Sequence, residues 1–301
     1  MREQRLEIRS IMSYVIRYIR KNVRVWGGCL LVALCPLNGM AQTQADEDVI
    51  RNARWETTEI AKGVKGMVAA FPSLYGGPQY VSIVEVKLRR HRHRADIGVS
   101  REMKPISQLA QEHQAIAAIN GSYYNMKVGN SVCFLKVDDE VMDSTIRSEF
   151  TLRVTGAVRT RHGRLKIIPW DRQTEQSYRK RHGSVLASGP LMLHKGEYSD
   201  WSMCTQSFIE TKHPRSAAAV TKDGRVLFIT VDGRSKGNAI GMSIPELAHL
   251  AKTMGGEDAL NLDGGGSTTL YLDGHVLNHP SDNKQFDHAG ERHIPNIIYI
   301  R

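Results

Sequence analysis

The sequence predicts an α+β fold, a mixed, largely antiparallel sheet flanked by helices in a single domain. Three observations predict it. Short apolar runs recur between clusters of Gly, Asn, Asp and Pro, the pattern of short strands. One segment, Ser243 to Met254, joins a helix start signal to helical apolar spacing. From about Thr58 to Arg301 no Pro/Ser-rich linker and no internal repeat interrupts the pattern.

In chain order, the elements follow a targeting segment. Arg17, Arg20, Lys21 and Arg24 precede the uncharged run Val25 to Leu37, and Gly39-Met40-Ala41 comes next. Basic, apolar and small residues in that order make residues 1–41 a secretory signal cleaved after Ala41. The apolar run is shorter than the roughly 20 residues of a permanent span. Export to the periplasm or beyond is therefore expected, without a permanent membrane span. Residues 42–60, with Gln42, Asp46, Glu47, Asp48 and Arg51, are expected as a polar tether before a domain at 61–301.

Gln79 to Val86 alternates apolar and polar residues and predicts a strand. Ser107 to His113 predicts a helix, and Ala115 to Ile119 a buried strand. Thr151 to Val158 and Leu165 to Ile168 predict strands about a turn at Arg161 to Gly163. Ala217 to Val220 and Val226 to Val231 flank Lys222-Asp223-Gly224, a hairpin signal. Ser243-Ile244-Pro245-Glu246 then forms a capping box with proline in the first turn. Ile244, Leu247, Ala251 and Met254 follow at helical spacing, and Gly255-Gly256 ends the helix. The chain continues into a buried strand, Ala259 to Leu262, a glycine-rich loop and the next strand, Leu270 to Leu272.

The net charge of +10 overstates the domain: residues 1–41 hold seven Lys and Arg against two Glu, leaving +5 beyond them. The basic cluster Lys87-Leu88-Arg89-Arg90-His91-Arg92-His93-Arg94 has no interleaved aromatics, so it reads as a solvated strand edge. No nucleic-acid partner is expected. His91 and His93 have no nearby Cys or carboxylate in sequence, and no metal site is expected there. Cys133 and Cys204 are the two cysteines beyond the signal, open either to pairing or to remaining buried thiols.

Candidate site residues gather in loops directly after or between apolar strands, where catalytic groups commonly sit on a rigid sheet. In Asn261-Leu262-Asp263-Gly264-Gly265-Gly266-Ser267-Thr268-Thr269, three glycines free the backbone to turn and to aim N–H groups at an anion beside Asp263. Asn120-Gly121-Ser122-Tyr123-Tyr124, Ser188-Gly189-Pro190, His213-Pro214-Arg215-Ser216 and Asp232-Gly233-Arg234-Ser235 share its character. Arg215 and Arg234 offer planar forks suited to phosphate oxygens, although each alone reads equally as a surface ion pair. Asp232-Gly233 and Asn120-Gly121 are also ordinary turn sequences.

Taken together, these segments resemble the phosphodiester glycosidase family. The resemblance runs through Ala118-Ile119-Asn120-Gly121, Ser188-Gly189-Pro190, His213-Pro214-Arg215-Ser216 and Val231-Asp232-Gly233-Arg234-Ser235 with Gly237. It continues through Ser243 to Ala248, Asn261 to Ser267, Asn278-His279-Pro280-Ser281-Asp282 and Glu291 to Asn296, and so covers roughly residues 80–301. The chain departs from the family pattern at Tyr123-Tyr124, Cys133, His279 and His293, which bears on substrate identity more than on reaction class.

The resemblance implies hydrolysis of a sugar-1-phosphodiester to free sugar and phosphomonoester. Breaking the anomeric C–O bond builds oxocarbenium character that a carboxylate can stabilise or relieve by activating water. Asp263 is the first choice for that carboxylate and Asp232 the second. Arg215, Arg234 and the backbone of Gly264, Gly265 and Gly266 are expected to clamp the phosphate, with Ser267 and Thr268 completing the cradle. Asn120, Gly121 and Asn261 are expected to bind sugar hydroxyls or to orient the carboxylates, and Arg292 to pair with a core carboxylate. The partner is thus a phosphorylated glycan or sugar-1-phosphodiester. No cofactor is required, and a supporting calcium ion stays open. Two alternatives are a metal-dependent phosphodiesterase using Asp232, Asp263 and Asp282 as hard oxygen ligands, and a non-catalytic glycan-binding envelope protein.

Overall fold

The computed structural model describes residues 43–88, 92–179 and 183–301. Its strands form three sheets, and every pairing among the described residues is antiparallel. The largest has eight strands in the order Glu56–Ala61, Val64–Leu74, Gly77–Lys87, Arg225–Val231, Arg215–Thr221, Gly256–Asn261, Leu191–His194 and Glu197–Tyr198. A five-stranded sheet runs Glu140–Asp143, Leu135–Val137, Ser184–Ser188, Gly156–Arg161, Arg164–Pro169. A second runs His275–Val276, Leu270–Leu272, Ala117–Asn120, Ile294–Ile300, Ala95–Lys104.

The expected mixed sheet is thus corrected to three antiparallel ones. Tight turns such as Lys222-Asp223-Gly224 and Asp273-Gly274 return the chain at once, whereas parallel neighbours need a crossover of a dozen or more residues. Among the described residues, helices are also fewer and shorter than a balanced α+β fold suggests; the longest of them, Ile244–Thr253, has ten residues.

The large sheet is buried on both faces, which is why its central strands read as near-continuous apolar runs. Ile83, Ala217, Ala219, Leu227 and Ile229 point to one side, where Ile244, Leu247, Leu250 and Ala251 of the helix cover them. Val84, Val86, Ala218, Phe228 and Leu260 point to the other. There they meet Ile119, Leu270 and Ile298 of one small sheet and Val158, Leu165 and Leu186 of the other. Burying one such side chain contributes roughly 1.5–3 kcal/mol. The helix starts as its sequence dictates: Ser243 Oγ accepts from the Glu246 N–H, and the Glu246 carboxylate accepts from the Ser243 N–H.

Residues 43–60, expected as a tether, instead carry a helix, Gln44–Arg51, and an edge strand, Glu56–Ala61. Thr43 and Asp46 form a capping box, Glu47 lies in the first turn, Arg51 in the last, and Ile50 is wholly buried in the core beside the Ile244–Thr253 helix. One buried residue in a polar octet leaves little periodicity to read. The strand expected from Thr151 begins only at Gly156, because Arg147–Leu152 is a short helix. Cys133 and Cys204 are separate thiols, and burial pushes Cys133 up to about 12. His93 sets a ring nitrogen 3.2 Å from the Lys62 carbonyl. The signal at 1–41 and His91 lie outside the described residues, and no described helix is long and apolar enough to cross a membrane.

Candidate active site

Asp263 stands two residues beyond the end of the Gly256–Asn261 strand, where the backbone leaves the large sheet. Its N–H donates to the Gly121 carbonyl (3.0 Å), and the preceding Leu262 N–H to the Ser216 carbonyl (2.8 Å). Asn120 completes the anchorage. It donates from Nδ2 to the Asp263 carbonyl (2.6 Å), and its Oδ1 accepts from Ser216 Oγ (2.6 Å) and the Thr269 N–H (3.2 Å). Asn120 therefore orients the Asp263 backbone through both ends of its amide, and at 1% exposure it has no free face.

Gly121 is required by close approach. A Cβ there would overlap Asn296 Oδ1, come within 2.9 Å of Leu186 Cδ1 and meet the Asn296 carbonyl at 3.0 Å. That carbonyl accepts from the Gly121 N–H, and Asn296 Oδ1 from the Ser122 N–H. Gly121→Ala is expected to cost about 1–3 kcal/mol, read as a lower midpoint in denaturant. It should also lower turnover of the folded fraction, since the same glycine holds Asp263.

Asp263 is half-buried as a residue, and protein crowds its carboxylate. That burial raises its pKa above the ordinary carboxylate value. The Ser267 hydroxyl, Arg153, Arg292 and the Gly264 N–H, which donates to Oδ1 (3.0 Å), oppose the rise without cancelling it. Arg153 was not signalled by the sequence. It follows the Arg147–Leu152 helix, forks onto Glu149 (2.8 and 3.2 Å) and lies 3.5 Å from the centre of the Tyr123 ring. Tyr123 is fixed in turn, donating to the Gly189 carbonyl (2.6 Å) and accepting from Asn261 Nδ2 (2.9 Å). Asn261 is wholly buried beneath the site, with Nδ2 also on the Gly189 and Leu262 carbonyls.

The glycine loop turns through the 3-10 segment Gly265–Ser267, with Gly265 at φ +64°. Of its three glycine N–H groups, Gly264 donates to Asp263, Gly265 to the Pro214 carbonyl (2.8 Å), and only Gly266 is left without an acceptor among the described residues. The expected cradle of several N–H groups is thereby reduced to one, because the turn itself uses the others. Ser267 and Thr268 are 1% exposed, with hydroxyls buried in the loop, and that of Ser267 bears on the Asp263 carboxylate.

Around this loop the arginines divide. Arg215, expected at the phosphate, is 2% exposed. It donates Nε to the Met242 carbonyl (3.0 Å) and Nη2 to those of Phe208 (3.0 Å) and Thr211 (2.8 Å), holding three chain segments together. Burial pushes its pKa down to about 10. Arg234 is exposed at a positive φ of 61° and makes no hydrogen bond or ion pair with the described residues. A Cβ at Gly265 would lie 2.8 Å from its Nη2, so its guanidinium sits against the loop. Arg292 pairs with Asp282 (2.9 and 2.5 Å), a half-exposed loop carboxylate rather than the core one expected, and this pair stands against Gly266.

Asp232 is 1% exposed; its carboxylate accepts from Asn278 and His279, and burial raises its pKa. Among the described residues no three Asp, Glu, His or Cys side chains converge as ligands. The arrangement is one desolvated carboxylate within a rim of arginines, a setting for chemistry at an electrophilic carbon bearing an anionic substituent.

The family model for phosphodiester glycosidase matches residues 113–301, more than half of the chain. The chain belongs to the phosphodiester glycosidase family. A prophage-derived protein of Bacillus subtilis, YomE, is 26% identical over 59% of the chain and 27% of its own length. The N-acetylglucosamine-1-phosphodiester alpha-N-acetylglucosaminidase of Mus musculus is 31% identical over 26% of the chain and 15% of its own length. The chain thus spans less than a third of either relative. The zebrafish N-acetylglucosamine-1-phosphodiester alpha-N-acetylglucosaminidase catalytic domain, auto-inhibited by its pro-peptide, superposes with a TM-score of 0.63. At 18% identity it covers 85% of this chain and 92% of its own, a likeness of fold.

Proposed function

We propose that the chain is an exported hydrolase that cleaves the sugar C1–O bond of a sugar-1-phosphodiester of the GlcNAc-1-phosphodiester kind, releasing free sugar and a phosphomonoester. The observation that carries this reading is Asp263: a carboxylate whose burial raises its pKa, between Arg153 and Arg292 and close to the unpaired Arg234. A carboxylate desolvated in this way is poised to take a proton from water or to stabilise positive charge at the anomeric carbon. Phosphate is already a good leaving group and mainly needs its charge met. Arg234 and Arg292, with the Gly266 N–H, are assigned to the phosphate oxygens, and Arg153 to the field around Asp263. Asn120, Gly121, Asn261 and Arg215 hold the loops that present these groups. Export rests on the order of basic, apolar and small residues before Ala41.

The test is hydrolysis of a GlcNAc-1-phosphate diester in heavy-oxygen water, with the label located by mass spectrometry. The expected result is label on the sugar. Label on the phosphate would mean P–O cleavage and overturn the reading.

A further inference from the structure

Asp232 and His279 form a polar centre to which the roles above assign nothing. Asp232 accepts from Asn278 Nδ2 (3.1 Å), the His279 backbone N–H (3.0 Å) and His279 Nδ1 (2.8 Å), which fixes the carboxylate as an acceptor on every side it presents. The His279 ring is stacked on Phe286 (centroids 3.8 Å, 13° between planes) and on His288 (4.4 Å, 27°), while Tyr80 meets it at 82° (4.6 Å). Phe286 and His288 make no ring contact with each other, so they cover opposite faces. Nδ1 and both faces are thus occupied. Nε2 is the one polar ring atom without a hydrogen bond to the described residues, and the side chain keeps 12% of its surface open.

Nε2 is not among the fully buried polar atoms, so it is the one ring atom through which His279 can meet solvent or a ligand. Here a buried carboxylate sets the ring's orientation and tautomer, and Nε2 is where a proton is gained or lost. The centre is also tied to the Asp263 loop. Asn278 Nδ2, besides holding Asp232, donates to the Thr268 carbonyl (3.0 Å), and Asn278 Oδ1 accepts from the Leu270 N–H (2.8 Å). Arg234, two residues past Asp232, lies against Gly265.

We propose that His279 is a second catalytic residue, whose Nε2, aimed by Asp232, hydrogen-bonds the phosphate and gives its proton to the oxygen leaving C1. This rests on the sugar-1-phosphodiester reading above. The C1–O bond breaks and its electron pair stays on the phosphate oxygen, which takes the Nε2 proton. Water supplies hydroxyl to C1, and its other proton goes to the Asp263 carboxylate. Exchange of one proton with solvent returns both side chains to their starting forms. Asp232, Tyr80, His288 and Asp287 are the titratable groups that bear on His279, and Asp232 alone among them bonds the ring.

The test uses the full chain and the methyl ester of GlcNAc-1-phosphate. The wild-type kcat should fall on the alkaline side. His279→Gln, with its fold checked by thermal melt, should lose about 10²-fold or more in kcat, keep KM within about threefold and lack that alkaline limb. Asp232→Asn should move kcat in the same direction by a smaller factor. A binding measurement guards against misfolded variants: in wild-type protein carrying ¹⁵N-histidine, inorganic phosphate should shift the Nε2 resonance of the Asp232-bound ring, leave its Nδ1 in place, and leave the Asp258-bound ring of His194 unmoved. A His279→Gln enzyme with near-normal kcat and an intact alkaline limb overturns the proposal, as does a loss confined to KM or an Nε2 signal indifferent to phosphate. A wild type inert toward the diester removes the substrate reading and the proposal together, whereas an active wild type with an equally active variant removes His279 alone.

Discussion

Asp263→Asn is expected to abolish turnover and raise the melting temperature at the same time. The first effect follows from the proposed chemistry: without the carboxylate, neither water activation nor charge stabilisation at C1 remains, and kcat should fall by at least about 10³-fold. The second follows from the sign of the pKa shift. Burial raises Asp263 above its unfolded value, so between the two titrations the native state holds more protons than the unfolded chain. Stability contributed by this group therefore falls as pH rises through that window. Asparagine has nearly the same shape and no charge to desolvate. Its gain, on the order of 0.5–2 kcal/mol, should appear at neutral pH and fade below the ordinary carboxylate range. At roughly 2–4 °C per kcal/mol for a domain this large, thermal melts at pH 7 and pH 4 resolve it. A variant that melts lower than wild type at pH 7 would show that ionised Asp263 stabilises the fold and would remove the electrostatic half of the account.

The placing of Asp263 at the start of a glycine loop is legible in the sequence, since Asn261 to Thr269 lies between two apolar runs and local patterning shows both. The Ser243 capping box and the Asp223-Gly224 hairpin were equally plain, because caps and tight turns are local devices. What the sequence conceals is which way a polar side chain turns once the strands pair. Arg215 and Arg234 look alike on paper, each an arginine next to a strand end and a small residue. Yet Arg215 begins a strand buried on both faces and must find its acceptors inside, whereas Arg234 lies in an open loop at positive φ. Arg153 carries no motif; its seat over the Tyr123 ring and its charge beside Asp263 follow from tertiary packing, which has no local signature. His279 stands out as a departure from the family pattern, but two of its partners, Asp232 and Tyr80, come from distant segments. The Gln44–Arg51 helix had one local signal, Thr43 three residues ahead of Asp46, set in a stretch whose charge pointed the other way.

Arg215→Lys separates a structural arginine from a substrate-binding one. Lysine keeps the positive charge but replaces a planar fork with a single ammonium, which cannot meet the Met242, Phe208 and Thr211 carbonyls in the directions the guanidinium does. At least one buried carbonyl loses its donor, at about 1–3 kcal/mol, and the guanidinium's place 4.9 Å from the Phe208 ring is given up as well. A total loss of roughly 2–4 kcal/mol is expected, visible as a lower denaturation midpoint with unchanged slope. Below its melting range the variant should keep kcat and KM within about threefold, because the side chain is buried behind the loop and contacts no open surface. If Arg215 instead holds the phosphate, the pattern reverses: KM rises about tenfold or more while the midpoint hardly moves. The two measurements cannot both come out as expected under the clamp role, since a guanidinium with Nε and Nη2 committed to backbone carbonyls offers a phosphate only its Nη1.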